Sequence, residues 1–215
     1  MSVQLLVLAG IALFLILRLR SVLGTRDGFE KPASTSVPEP AKERDFRVIE
    51  GGPDHDIIDH VEEGSPSALA LADMKKADNT FHVGEFLGGA KSAYEMIFMA
   101  FERGDIEEIR WLLSSEIEEI FDDAIAQRAE RGLSIEAEFL GFREIKLVEA
   151  IFENSTQEAE VSMSFVSELT SVVKNDTGEV VEGDAKHAKK NKDVWTFARN
   201  FGSDDVNWRL VATGE

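Results

Sequence analysis

No cysteine occurs in the 215-residue chain, which rules out disulfides, thiolate catalysis and cysteine-ligated zinc or iron–sulfur centres. Histidine is scarce, at four residues, and Tyr94 is the single tyrosine. No nucleophile, base and orienting group can be assembled from so thin an inventory. The chain therefore reads as a non-enzyme, with no catalytic residue, cofactor or metal assigned. Basic side chains are also few: 23 Lys and Arg stand against 41 Asp and Glu, a formal net charge of −18. Such a surface repels a phosphate backbone, which excludes nucleic acid as a partner. It also opposes a folded body lying flat on anionic lipid. Proline is absent outside residues 32–66, and charge is absent from the first seventeen side chains.

Those two gaps divide the chain into three parts. Residues 1–23 read as a transmembrane anchor: "MSVQLLVLAGIALFLIL" is uncharged and is followed by Arg18 and Arg20 rather than by a small-residue cleavage site. As a helix those seventeen residues would span about 25 Å, close to a bilayer's hydrocarbon core. Arg18, Arg20 and Arg26 put the positive flank on the C-terminal side, so the N-terminus is expected outside and the body in the cytoplasm. Residues 24–65 read as a disordered, Pro-rich acidic linker, poor in aromatics. Within it, "PDHDIIDH" holds His55, Asp56, Asp59 and His60, which have metal-ligand chemistry but no rigid cage. The segment is expected to be solvated; Ile57, Ile58 and Val61 could alternatively dock a partner.

Residues 66–215 form the body, and its apolar spacing changes halfway. Phe86, Leu87, Ala90, Ala93, Tyr94, Ile97, Phe98 and Phe101 recur at helical intervals, with Gly104 as a stop. Asp105 with Glu108, and Ser115 with Glu118, have capping-box spacing and predict two further helices. The second of these carries Ile117, Ile120, Phe121 and Ile125. After Gly132 the period becomes two. Residues 133–153 predict a long strand with Gly141 as a bulge, and Ala159, Val161, Met163 and Phe165 predict the buried face of a second strand. Asn175-Asp176-Thr177-Gly178 predicts a turn into a short strand, followed by a basic loop from Lys186 to Lys192 and a final hairpin around Trp195 and Trp208. Helices followed by strands, without alternation, give an α+β fold: N-terminal helices on a curved antiparallel sheet.

Trp195 and Phe197 share one side of their strand, and Trp208 and Leu210 one side of theirs. Facing the helices, these rings serve first as core. Where the sheet curves away, Tyr94, Phe98, Phe165, Trp195, Phe197 and Trp208 are the candidate lining of an apolar pocket. The acidic helical face (Glu107, Glu116, Glu119, Asp122, Asp123) and the lysines at 186, 189, 190 and 192 are candidate docking patches, with plain solvation as the commoner explanation.

The stretch from Phe86 to Gly132, "FLGGAKSAYEMIFMAFERGDIEEIRWLLSSEIEEIFDDAIAQRAERG", resembles the start of the C-terminal domain of the Tim forty-four family. "SFVSEL", "GEVVEGD" and "DVWTFARN…NWRLVAT" resemble that family's strand motifs in order. The apolar head and Pro-rich linker are similar to its bacterial, alphaproteobacterial membrane-anchored members. The resemblance implies a nuclear-transport-factor-two-like cone with a hydrophobic pocket. It also implies a non-enzymatic adaptor at the cytoplasmic face of the bacterial inner membrane. Its partners would be other membrane or membrane-associated proteins, with a link to membrane-protein biogenesis or translocation. Lipid or an apolar small ligand in the pocket is the alternative. Asp205-Val206-Asn207 departs from the family's Asp-Pro-Asn at the last loop, and nothing in the linker matches the mitochondrial member's chaperone-binding region.

Overall fold

A computed structural model describes residues 54–214; the expected anchor and most of the expected linker lie outside them. Among the described residues no helix is long and apolar enough to cross a membrane. The elements run α1 (His55–Ile58), α2 (Pro66–Ala77), α3 (Val83–Arg103), a 3₁₀ helix (Glu107–Leu112), α4 (Ser115–Glu130), β1 (Ser134–Glu153), β2 (Glu158–Lys174), β3 (Val180–Asn200) and β4 (Arg209–Gly214). The four strands form one antiparallel sheet in sequence order, with the helices packed on it. The α+β expectation holds.

Packing begins earlier than the boundary expected at residue 65. Asp54 caps α1, and Ile57 is buried in the main core with Val61 packed beside it. The solvated-linker reading of residues 54–65 is therefore corrected, and Asp56 has a structural task. Both Asp56 oxygens accept amide protons from the start of α3, Val83 N–H and Gly84 N–H, each at 2.9 Å. The helix needs this help because its own N-cap position, His82, makes no side-chain cap. Lys75 closes the arrangement with bonds to Asp54 at 2.6 Å and Asp56 at 3.0 Å.

Burial disfavours the Asp56 charge, but the Gly84 amide, Lys75 and the Val83 amide outweigh it and hold the carboxyl down at about 2. A carboxyl lowered by folding stabilises above its unfolded value, about 4, and loses that contribution as pH falls towards 2. Replacing Asp56 with alanine should cost about 1 kcal/mol, the usual worth of an N-cap. Hydrogen exchange at Val83 and Gly84 should accelerate in that variant, and the stability difference should shrink on acidification between pH 4 and 2.

In α2, Ser65 caps Ala68 N–H, Pro66 opens the helix, and Ala68, Leu71 and Met74 point inward. Along α3 the expected stripe is buried at Phe86, Ala90, Ala93, Tyr94 and Ile97, and Gly104 ends the helix at φ 76°. The helix expected after Asp105 is only six residues of 3₁₀. Asp105 bonds Glu107 N–H at 3.1 Å, and the chain must then extend at Leu113 to bridge Leu210. Tertiary pairing overrides the capping signal there. The cap of α4 is Ser114, one residue before the expected Ser115, and Ile120 faces solvent.

Three register shifts in the β1–β2 pairing, at Phe139/Gly141, Phe142/Glu144 and Leu147/Glu149, bend the first strand. On β2 the expected alternation holds, with Ala159, Val161, Met163 and Phe165 fully buried. The short strand and basic loop expected beyond Gly178 are instead one continuous strand, β3. Pairing passes from Leu169↔Lys189 to Ser171↔Asp184, so β3 spends five residues where β2 spends two. Of the four lysines only Lys186 rides on this bulge; Lys189, Lys190 and Lys192 pair regularly with Leu169, Glu168 and Val166 on an exposed stretch of the ladder. Gly183 permits the bulge: φ is 88°, and a Cβ there would come within 2.1 Å of the Ser171 carbonyl oxygen.

Candidate apolar groove

The inward faces of β2, β3 and β4 bring the expected aromatics together in two groups. Tyr94 stacks on Phe165 with ring centroids 4.4 Å apart and on Phe98 at 5.6 Å, and meets Trp195 at 4.5 Å. Phe139 and Phe142 close over the same rings from β1. Tyr94, Phe165 and Trp195 are thus close-packed core with Phe98 half-buried beside them, and none of the four lines the open groove described below. Phe197 and Trp208 do line that groove, together with Phe86, whose ring lies 4.6 Å from Trp208.

Tyr94 has partners that its sequence neighbourhood does not suggest. Its hydroxyl donates to Asp193 Oδ2 at 2.5 Å and meets Ser167 Oγ at 3.1 Å, while Asn191 Nδ2 donates to the same carboxylate at 2.6 Å. Burial, then the adjacent Asp193 charge, push the phenol well above its ordinary pKa, so it stays protonated. Tyr94 and Ser167 are fully buried and lie outside the lining of the groove. This polar knot pins α3 to β2 and β3.

The groove lies between the N-terminal half of α3 and the last hairpin. Its volume is about 420 Å³ and one side is open. Phe86, Phe197 and Trp208 form its floor, Gly89, Ala90, Ala93 and Met96 its α3 wall, and Trp111, Leu112 and Val206 its far rim. Three of these large apolar side chains face solvent: Met96 at 43%, Trp111 at 54% and Val206 at 64% exposure. Val206 stands where the chain departs from the Asp-Pro-Asn of the family it resembles, and Asp205 fixes its turn by accepting from Asn207 N–H at 3.0 Å and from Arg209 at 2.8 Å.

The space exists because α3 carries small residues here. A Cβ at Gly88 or Gly89 would meet nothing within 4 Å, so no internal contact requires either glycine. Each costs the helix about 0.5–1 kcal/mol relative to alanine.

Polar chemistry enters at one end, through Thr80, His82, Glu85 and Arg199. The Arg199 side chain is only 9% exposed, pairs with Asp78 at 3.0 Å and stacks on Phe201 at 4.4 Å. Among the described residues, no acceptor meets Arg199 Nε. Asp78 is itself held charged, first by the Thr80 hydroxyl and amide and then by Arg199. Among the described residues no His, Asp or Glu group gathers to hold a metal ion.

Comparison with known proteins follows this geometry. No curated protein matches the chain. A solved structure, the intermembrane space region of the chloroplast protein ARC6, aligns with a TM-score of 0.43 and 13% identity, over 60% of this chain and 94% of that one. The family model for the Tim44-like domain matches residues 67–215, well over half of the sequence. On that match, and with the motifs on α3, β2 and β3 where the resemblance placed them, the chain belongs to the Tim44-like domain family.

Proposed function

We propose that this protein is a membrane-tethered, non-enzymatic adaptor that holds an apolar segment of another protein in the groove beside α3. The observation that carries the reading is the open groove itself, with Trp111, Met96 and Val206 exposed on its rim and walls. Large apolar side chains collected at one concavity mark interaction sites rather than ordinary surface. Tethering is supported by the uncharged residues 1–17 and by Arg18 and Arg20 behind them, which favour a body on the cytoplasmic side of a bacterial inner membrane. The bent β1 and one-sided helix layer are in keeping with a nuclear-transport-factor-two-like cone. Partners would be membrane or membrane-associated proteins, in line with a role in membrane-protein biogenesis or translocation.

Affinity capture after mild detergent extraction tests this with three chains: the full protein, a chain lacking residues 1–23, and Gly89→Leu. Recovery of the same partner should fall in both altered chains. Equal recovery from all three would overturn the reading. A second reading, an apolar small ligand or lipid, is favoured by the groove's volume, about 420 Å³, which lies within the usual range for small-molecule sites. Under it, native mass spectrometry of the purified protein should show a retained ligand mass that Gly89→Leu removes.

A further inference from the structure

We infer that the free edge of β3 at residues 189–192 receives an extended acidic segment of another protein as an added strand. This surface lies on a different element from the groove, and neither depends on the other.

The first observation concerns the main chain. β3 runs from Val180 to Asn200, yet β4 pairs with it only from Val194 to Ala198. Among the described residues no strand lies on the second side of 180–192, and no helix packs along it. Residues 180–190 and Lys192 are exposed. A bare edge of this kind turns alternate N–H and C=O groups to solvent, which is the template for one more strand. The bulge at 185–188 interrupts the edge, and regular pairing with β2 resumes at Lys189.

The second observation concerns charge. Residues 80–215 carry fourteen basic against twenty-eight acidic side chains, so intrachain partners are plentiful. Lys75, Arg110, Arg143, Lys146 and Lys174 each find one at 2.5–2.7 Å. Lys189, Lys190 and Lys192 form no such ion pair among the described residues. The acids in the rows of Lys190 and Lys192, Glu168 and Glu144, are already taken by Arg143 and Lys146.

Pairing sets the faces. Ser167 reaches Tyr94, so its neighbours Val166 and Glu168 point away from the helices, and Lys192 and Lys190 stand opposite them. Lys189 stands opposite Leu169 on the helix side. Lysines therefore flank the edge on both faces. An added strand also alternates its side chains, so acids in it meet a lysine whichever face they take.

Lysine on an edge usually keeps strands apart. Here it sorts them. A second copy of this edge, or any basic strand, would set like charges against each other, whereas an acidic strand gains. Glu182 and Asp184, beyond the bulge, repel the same acids and confine the segment to 189–192. An anionic bilayer fits less well, because a flat surface on the outer face would meet Glu144 and Glu168 together with the lysines.

The test uses the full chain in zwitterionic nanodiscs, with empty discs subtracted. Three blocked peptides are compared: one alternating Glu and Val, its counterpart with Lys for Glu, and the acidic peptide with every amide N-methylated. The acidic peptide should bind, the basic one should not, and N-methylation should weaken binding about tenfold while leaving the charge in place. Lys190→Glu with Lys192→Glu should reverse the preference between the first two peptides, and Gly89→Leu should change nothing. Should the double variant not fold, hydrogen exchange on the parent decides. Alternate amides within 189–192 should gain protection on adding the acidic peptide, with none gained along α3. Phosphatidylglycerol nanodiscs without peptide should leave those amides as they are.

Equal binding of the N-methylated peptide would reduce the contact to charge alone and overturn the inference. So would binding of the basic peptide as tight as that of the acidic one, unchanged exchange at 189–192, or protection there by phosphatidylglycerol alone. Each of these leaves the groove reading untouched, since that rests on capture by Gly89→Leu.

Discussion

Replacing Tyr94 with alanine should cost about 4–5 kcal/mol, a large share of the 5–15 kcal/mol that holds a typical domain together. Two losses combine. The first is packing: the ring lies within 4.5 Å of both Phe165 and Trp195, and its removal leaves a cavity that neighbours on three elements cannot fill. The second is polar, because Ser167 is fully buried and Asp193 loses a short hydrogen bond. Tyr94→Phe isolates that second part, since it keeps the ring stack. It should cost about 1–3 kcal/mol, the range for leaving a buried partner unsatisfied. Urea denaturation of the two variants and the parent should give that order, and a Tyr94→Phe variant as stable as the parent would show that the hydroxyl network contributes nothing.

The second large effect is an asymmetry across the Arg199–Asp78 pair, which joins β3 to the start of the α2–α3 connection over 121 residues of chain. Asp78→Ala strands a guanidinium that is nine-tenths buried, and breaking a buried pair from that side costs about 3–5 kcal/mol. Arg199→Met leaves a different situation. Asp78 keeps the Thr80 amide at 2.9 Å and the Thr80 hydroxyl at 2.6 Å, and it retains access to water. Methionine also keeps apolar cover over Phe201. The expected cost is about 1–2 kcal/mol, with the double substitution milder than Asp78→Ala alone. Because the Asp78 carboxyl is held below its ordinary value, the pair's contribution is present above about pH 4 and fades as pH drops. Thermal melts of the single and double variants at pH 7 and pH 3 should show the penalties converging in acid.

Periodicity made part of this molecule legible from its residues. The α3 stripe from Phe86 to Phe101 and the alternation of Ala159, Val161, Met163 and Phe165 each report one buried face, and each is buried as expected apart from the fringe of the stripe. The inward direction of Trp195 and Phe197 followed from the same logic. What stayed hidden is polar and long-range. Asp56 caps a helix 27 residues away, Asp193 meets Tyr94 across 99, and Asp78 meets Arg199 across 121. A single hydrogen bond leaves no repeating trace in a chain, so nothing local marks these residues.

The groove was half legible for a related reason. Aromatic side chains pointed to the correct face of the sheet, but their volume fills space at Tyr94, Phe165 and Trp195. The opening lies where side chains are small, at Gly89, Ala90 and Ala93. Gly88 and Gly89, adjacent and mid-helix, were the signal that could have located it. The basic loop was misread because an exposed stretch of paired strand and a true loop share the same lysine-rich, apolar-poor composition.

The most direct measurement is photo-crosslinking in the native membrane, with a benzophenone amino acid placed at Met96 on the groove wall or at Ile151, exposed on β1. The full-length chain should give a discrete protein adduct from position 96, none from 151, and none from 96 when Gly89 is leucine. Equal adducts from both positions, or lipid adducts alone from position 96, would contradict a groove that receives a protein segment.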